Sequence, residues 1–294
     1  MATGNQTVTT ADKHIDDVWV QGVISALMFR TIISDYVDRT WDFVGHGDTY
    51  HKARTPNIES QSKAASTALN ATVYTDTEQT ISINVHDACA IKHEDIAQLL
   101  SRDNMKEKMT ANMGYSLARA VDVNLAALAQ SFSQIVGTLG VELTYDNLLR
   151  AVQYLEDAGY EMASDVVWMI SPAQKSGFMK LDTFTHRDYR GDASSEAASK
   201  KGVVVGDFQG APIAVSNLVR SPASGQHENF LLHRETVALI MAQSPKTTKE
   251  RIALDLADVV VTDQIYGYGE IDRYSEQPGN ITATDEGAVL LRGV

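Results

Sequence analysis

The sequence predicts an α+β fold, and three observations carry that prediction. Residues 102–135 place apolar side chains at every third or fourth position, which indicates one long helix. Residues 36–90 instead contain short runs that alternate apolar and polar side chains, a pattern typical of strands with one buried face. From 140 to 245 helical and strand patterns alternate, which predicts an α/β lobe.

The first 35 residues are predicted to form an N-terminal arm. A polar start is followed by apolar residues at helical spacing, from Ile15 through Trp19 to Met28, with Thr10 or Asp12 placed to cap a helix. Such an amphipathic helix docks either on its own domain or on a neighbouring subunit, and the sequence leaves both alternatives open.

Residues 36–92 are predicted to form an extended β loop. The segment from Thr80 to Val85 alternates with a period of two, whereas residues 60–72 contain one leucine among small and polar side chains. Because so few large apolar groups cannot build a core, we expect this loop to project and to need a partner surface.

Residues 93–139 are predicted to form a peripheral domain around a spine helix. A helix from 102 to 135 would be about 50 Å long, more than a compact domain normally requires. Its apolar stripe advances mostly in steps of four, so it drifts around the helix and its ends should contact different parts of the protein. The alternative is an ordinary core helix broken near Gly114. The stripe comprises Met105, Met109, Met113, Leu117, Val121, Leu125, Leu128 and Phe132.

In the lobe, local signals mark each predicted element. Residues 144–158 form an amphipathic helix that stops at Gly159, and 166–170 form an apolar run typical of a strand buried on both faces. Pro172 is placed to open a further helix. Residues 203–215 predict a hairpin that turns near Gln209-Gly210.

Beyond the lobe's hairpin, the sequence predicts a strand at Phe230–Leu232, a short helix at Arg234–Met241 and a long strand system at Lys249–Tyr274. The tail from Gln277 is only weakly apolar, so we expect it to leave the domain.

Composition excludes several classes of protein. The net charge is −13, from 25 basic and 38 acidic residues, without a block of consecutive lysines or arginines, which argues against a protein that grips nucleic acid. Cys89 is the only cysteine, which excludes an internal disulfide framework and a cysteine zinc site and suits a reducing compartment. We expect neither a secretory leader nor a membrane-spanning segment.

A search for catalytic chemistry finds little. The sequence lacks a phosphate-binding loop, a Gly-x-Ser-x-Gly elbow and a His-Glu-x-x-His helix, and Gly267-Tyr268-Gly269 lacks the third glycine of a dinucleotide fingerprint. His46, Asp48 and His51 offer zinc-ligand chemistry, but a turn with two glycines explains them better. We therefore predict no catalytic residue, no cofactor and no metal.

A polar loop in the lobe holds the only cluster that suggests a site. Arg187, Asp188 and Arg190 suggest an anion site, but in a polar loop solvation or contact with a partner's surface explains them better. The one hint of an α/β enzyme is the cluster Asp182, His186, Arg187 and Asp188. Trp19, Trp41 and Trp168 sit among apolar neighbours and indicate core or interface anchors.

Short motifs also follow one another in a characteristic order. They are Gly47-Asp48-Thr49, Thr55–Ile58 and Thr80–Asn84 in the loop, Val205–Ile213 with Ser216-Asn217 in the lobe, and Arg251, Asp255, Asp258, Val261 and Tyr266-Gly267 near the end. Together with the order of elements, they resemble the major capsid proteins of tailed bacteriophages (Caudoviricetes), which have the Hong Kong 97-type capsid fold. The resemblance covers nearly the whole chain.

The resemblance implies a structural shell subunit of the virion, assembled in the host bacterial cytoplasm. Hexamers and pentamers of this one chain would build an icosahedral shell around double-stranded DNA. An axial domain, 140–245, would surround the symmetry axes, the loop would lie over a neighbour, and 246–294 would supply returning strands of the peripheral domain and a C-terminal tail. An encapsulin-like nanocompartment shell is the alternative within this fold.

The resemblance also implies partners and contacts. The spine begins near 102 after a short arm, so we expect a separate scaffolding protein, besides a portal and a possible decoration protein, and no membrane. Lys63 and Asn280 are the only pair to nominate for a covalent link between subunits. We predict inter-subunit contacts at Trp19, Lys52, Arg54, Lys63, Arg187, Arg190 and Arg251.

Overall fold

The computed structural model describes residues 31–40, 47–54, 60–69, 77–96, 105–162, 165–181, 204–274, 283–284 and 286–294. Its helices are α1 (Met105–Leu128), α2 (Tyr145–Asp157) and α3 (Pro172–Phe178). Its strands are β1 (Thr49–Arg54), β2 (Thr77–Ser82), β3 (Val85–Glu94), β4 (Gln134–Gly137), β5 (Val166–Ile170), β6 (Val204–Phe208), β7 (Ala211–Val215), β8 (His227–His233), β9 (Val237–Ile252), β10 (Ala257–Glu270), β11 (Arg273–Tyr274), β12 (Ala283–Thr284) and β13 (Ala288–Gly293). No helix in these ranges is long and apolar enough to cross a membrane.

A six-stranded mixed sheet in the order β4-β13-β8-β5-β7-β6 forms the lobe. All five residues of β5 are buried, as the continuous apolar run predicts. Helix α2 packs its Leu148, Ala151, Val152 and Leu155 into the same core, since these residues lie three or four positions apart.

Local signals set the boundaries of the lobe's elements. The Thr144 side chain accepts a hydrogen bond from Asn147 N at the start of α2, and Ser171 Oγ does the same for Gln174 N at the start of α3. Gln209 and Gly210 have φ of +54° and +83°, the left-handed pair that a tight β6–β7 turn requires. The predicted helix start at 144, the helix opened by Pro172 and the turn near Gln209-Gly210 are thus confirmed.

A three-stranded antiparallel sheet, β3-β10-β9, lies under the spine helix α1. One apolar cluster joins the helix residues Val121, Leu125 and Ala126 to Tyr266 of β10 and Leu239 of β9. Gln264 donates its Nε2 to Leu117 O at 3.1 Å, so a buried polar group also ties sheet to helix. The spine therefore packs on the long hairpin over residues 117–126.

The predicted helix of 102–135 is too long at its C-terminal end. Helix α1 stops at Leu128, a single 3₁₀ turn follows at Ala129–Ser131, and residues 134–137 form β4. Ser131 Oγ donates to Leu128 O at 2.7 Å and satisfies one of the last helix carbonyls. Ile135 and Val136 are β-branched and pair in parallel with β13, which ends the helical pattern.

The predicted short helix at Arg234–Met241 is wrong. Only Arg234–Thr236 make a 3₁₀ turn, and β9 begins at Val237. The run from Val237 to Ile240 is buried and pairs with Gly267–Glu270 of β10. An apolar run this short does not distinguish helix from strand, and long-range pairing decides it.

The expectation that the tail leaves the domain is also wrong. Residues Ala288 to Leu291 are buried within β13, an interior strand of the six-stranded sheet between β4 and β8. The apolar run has only four residues between polar and glycine neighbours, so averaging over the tail hides it. The end of the chain is thus part of the lobe's core.

Candidate functional site

The described part of the β1–β2 hairpin is largely exposed beyond its base. Its six residue pairs run in antiparallel register from Thr49–Ser82 to Arg54–Thr77. The side chains of residues 51–53 and of 60–69 are exposed. Only the base is packed: Ile81 is 3% exposed and contacts Ala238, Ile240 and Ile271. A two-stranded ribbon of this kind presents both faces to any neighbour.

Two glycines of β10 let the base of the hairpin cross closely over the long sheet. A Cβ atom on Gly267 would lie 2.5 Å from Ser82 O, and one on Gly269 would lie 3.3 Å from Ile81 Cγ1. Gln79 Nε2 donates to Glu270 O at 3.0 Å beside this crossing. The two glycines of the Gly-Tyr-Gly sequence therefore allow two backbone segments to approach closely, a role that the sequence motif alone does not predict.

Ion pairs brace the tip of the β9–β10 hairpin. Arg251 donates to both carboxylate oxygens of Asp95 at 2.6 and 3.1 Å and to Asp258 at 3.1 Å. Hydrogen bonds to Asp95, then to Asp258, raise the pKa of Arg251, so the guanidinium stays charged. Lys92 pairs with Asp255 on the same tip, and Leu254 between the strands is 97% exposed. The tip is therefore an exposed feature that carries several ion pairs.

Four of the seven predicted contact residues lie in described parts of the chain, at three places. Lys52 is exposed on β1 and Lys63 is exposed in the 60–69 segment. Arg54 ends β1, where its backbone pairs with Thr77. Arg251 is half-exposed at the braced tip. Trp19, Arg187 and Arg190 lie outside the described residues, as does Asn280, the nominated partner of Lys63. All seven contacts stay predictions, and denaturing mass spectrometry of particles would test the Lys63–Asn280 link.

The residues considered for metal and enzyme chemistry are separated or lie outside the described ranges. His51 Nδ1 lies 3.3 Å from Glu78 Oε2, an exposed pair across the hairpin, and Asp48 accepts a hydrogen bond from Thr49. Across the described ranges, no group of three or more His, Cys, Asp or Glu side chains is arranged to hold a metal ion. His46, Asp182, His186 and Asp188 lie outside the description.

A partly buried hydrogen-bond network that the sequence did not reveal joins the spine to β3 and β10. Tyr266 donates its hydroxyl to Asp87 Oδ2 at 2.7 Å and accepts from Asn124 Nδ2 at 2.7 Å. Burial, then the hydrogen bond to Asp87, raises the pKa of Tyr266. The network fixes β3, β10 and α1 relative to one another beside the base of the exposed hairpin.

Comparison with known proteins identifies this arrangement. No family model matches the chain, and a search of curated proteins finds no match. Solved structures match over nearly the whole length. A protein of Mycobacterium phage Che8 is 17% identical, with a TM-score of 0.75 over 94% of this chain and 96% of that one. The capsid structure of cyanophage P-SCSP1u is 18% identical, with a TM-score of 0.71 over 99% and 95%.

The mature capsid of bacteriophage PhiM1 matches with a TM-score of 0.71 at 12% identity, over 95% of this chain and 91% of that one. The chain has the Hong Kong 97-type capsid fold. The fold class predicted from the sequence is thus confirmed.

Proposed function

We propose that this chain is a major capsid protein, which self-assembles as hexamers and pentamers into the icosahedral shell of a virion and encloses double-stranded DNA. The observation that carries the proposal is the match to capsid structures across nearly the whole chain. Its role is structural, and it needs no catalytic residue or cofactor.

The extended hairpin supports assembly through its lack of internal packing. Residues 60–69 are exposed, and an isolated two-stranded ribbon is marginally stable in water. A neighbouring copy of the chain would cover it, as the sequence's shortage of large apolar groups in this loop predicts.

We propose the following division of the chain within a shell. Residues 1–35 form the arm, 36–92 the extended loop, 93–139 the spine part of the peripheral domain, 140–245 the axial domain, and 246–294 the returning strands and tail. The long β9–β10 hairpin and the six-stranded sheet support the separation into peripheral and axial parts, although β13 brings the chain's end back into the axial sheet.

The charge of −13 suits a shell that encloses DNA without gripping it, since an acidic lining allows packaged DNA to slide. A separate scaffolding protein, a portal and a decoration protein complete the proposed set of partners, and assembly takes place in the host bacterial cytoplasm. Retardation of DNA by the purified subunit at moderate salt would contradict the non-gripping role.

The decisive experiment is negative-stain electron microscopy of the chain expressed alone, with light scattering on the same sample for particle mass. Large shells or polymers of capsomers support the capsid proposal. Small uniform shells that hold a co-purified protein would indicate an encapsulin-like nanocompartment instead. A stable monomer or dimer, unchanged by crowding or by added scaffold, would contradict both the capsid and the nanocompartment. It would favour an α/β enzyme with its active site in the lobe.

A further inference from the structure

Residues 31–40 form the connection between the predicted N-terminal arm, 1–35, and the predicted extended loop, 36–92, which contains the β1–β2 hairpin. Within this connection Ile32, Ile33 and Val37 are each at most 4% exposed and belong to the apolar cluster that contains the spine. The connection is therefore packed into the core, in contrast to the exposed hairpin that follows it.

A single carboxylate on the spine holds the start of this connection. Asp122 is 0% exposed, and its Oδ2 accepts hydrogen bonds from Ile32 N at 2.7 Å and Ile33 N at 3.1 Å. Its Oδ1 accepts from Ser34 N at 3.0 Å. These amides open the 3₁₀ turn Ile33–Tyr36, where backbone donors have no partner within the turn itself.

The other end of the connection is held by β9. Asp38 N donates to Val237 O at 2.8 Å, and Leu239 N donates to Asp38 O at 2.9 Å, which makes a parallel bridge between Asp38 and Ala238. Residues 32 to 38 are thus fixed between the spine helix and the long hairpin.

Packing alone does not explain an aspartate at position 122, because burying a carboxylate costs free energy. Asp122 lies on the buried face of α1 with Val121, Leu125 and Ala126, where an apolar side chain would continue the stripe. A buried carboxylate is tolerated when charge-assisted hydrogen bonds satisfy it, and here backbone donors of the connection satisfy both of its oxygens. Asp122 therefore fixes the path of a backbone segment through hydrogen bonds, and its role is not that of an apolar core residue.

We propose that Asp122 is a positioning residue that anchors residues 31–40, which we name the shared anchor, and so sets where both the arm and the extended loop leave the subunit. The assembly part of this inference rests on the proposed capsid function, because the arm and the loop are the segments expected to reach neighbouring copies. The anchoring part concerns the subunit alone.

Asp122→Asn tests the inference because it keeps the shape but replaces one acceptor oxygen with an amide donor. In the full unassembled chain, we expect the amides of residues 32–34 to exchange hydrogen on the order of tenfold faster, since an acceptor is lost from a buried site. The matched control is Tyr266→Phe, which removes hydrogen bonds to Asp87 and to the spine residue Asn124 without touching the shared anchor.

The expected result is faster exchange at 32–34 in Asp122→Asn but not in Tyr266→Phe, and a lower yield of shells from Asp122→Asn at equal amounts of folded subunit. Unchanged exchange at 32–34, or an equal rise in the control, would overturn the anchor. A wild-type shell yield despite a loosened anchor would overturn the positioning role.

Ile33→Val is the second variant, in case Asp122→Asn does not fold. It removes one methylene from the anchor's packing, keeps every hydrogen bond to Asp122, and should raise exchange at 32–34 about threefold. No change in this variant would count against the anchor. If the wild-type chain stays a monomer or dimer even with crowding or added scaffold, the proposed function fails, while the exchange comparison still supports or overturns the anchor.

Discussion

The six-stranded sheet and the β1–β2 hairpin are built from strands of similar length, yet they differ in what holds them. In the sheet, β5 and most of β13 are buried on both faces. In the hairpin, burial is limited to the base at Ile81, and the described side chains of β1 beyond Tyr50 are exposed. The lobe therefore has a core of its own, whereas the described residues pack the hairpin only at its base, and a two-stranded ribbon is marginally stable in isolation.

The largest expected effect is in the lobe. Trp168 is fully buried, stacks edge-on against Phe208 at 5.5 Å and donates its Nε1 to Phe208 O. Trp168→Ala should lower the free energy of unfolding by about 3–5 kcal/mol, because it opens a large cavity. Chemical denaturation of the unassembled chain measures this loss. Leu254→Ala at the exposed tip is the control and should change stability by less than about 0.5 kcal/mol; similar losses in both would contradict the contrast.

The next effect is at the base of the hairpin, where it crosses β10 of the three-stranded sheet. Gly267→Ala places a methyl group 2.5 Å from Ser82 O, so the base of the hairpin must shift, at a cost of about 1–3 kcal/mol. The Ile83 amide, which donates to Asp48 O at 2.7 Å, should then exchange faster.

Gly114→Ala is the matched control for this substitution, since nothing lies within 4 Å of its added methyl group in the middle of α1. It should stabilise the chain by about 0.5–1 kcal/mol. Equal destabilisation by both substitutions would show that the close crossing is not the cause.

A smaller effect comes from the network that supports the hairpin base. Tyr266→Phe leaves Asp87 and Asn124 without their shared partner and should cost about 1–2 kcal/mol. Because the pKa of Tyr266 is raised in the folded state, the unfolded chain loses that proton first, so wild-type stability should fall as the pH rises past about 10. Denaturation at several pH values should show a weaker decline in the phenylalanine variant; identical declines would assign it to other groups.

The smallest effect on folding, and the one that separates folding from assembly, is in the loop. Lys63→Glu should leave the free energy of unfolding within about 0.5 kcal/mol, since Lys63 is exposed and exposed positions tolerate substitution. We expect Arg54→Glu to leave subunit folding intact as well. Both should lower the yield of shells, as counted by electron microscopy. Lys63→Arg and Arg54→Lys keep the charge and are the controls. Wild-type assembly by both reversed variants would remove these residues from the interface.

Local sequence signals predicted those elements whose ends are set by residues close to them in the chain. The helix start at 144, the proline at 172 and the turn at Gln209-Gly210 each lie where the sequence predicts. They are reliable because the partner of each signal lies within a few residues. Arg251 shows what the sequence could not predict about the candidate surfaces. The sequence predicts a contact at this arginine, but its ion pair with Asp95, 156 residues away, follows only from the fold.

The buried anchor at Asp122 was missed for the same reason. Its only mark in the sequence is a single acid on the buried side of a predicted helix, next to Val121 and three residues before Leu125. The amides that it binds lie up to 90 positions earlier in the chain. A charged residue within an apolar stripe is thus a signal worth following, although it does not name its partner.

The sequence by itself determined the class of fold, the spine, the alternating lobe and a loop too poor in apolar groups to stand alone, because periodicity and composition act within a short window. Tertiary structure decided that residues 237–241 form a strand, that the end of the chain enters the middle of the lobe's sheet, and that Asp122 holds the shared anchor. Strand pairing and the satisfaction of buried polar groups join residues far apart in the chain, so no local pattern contains them.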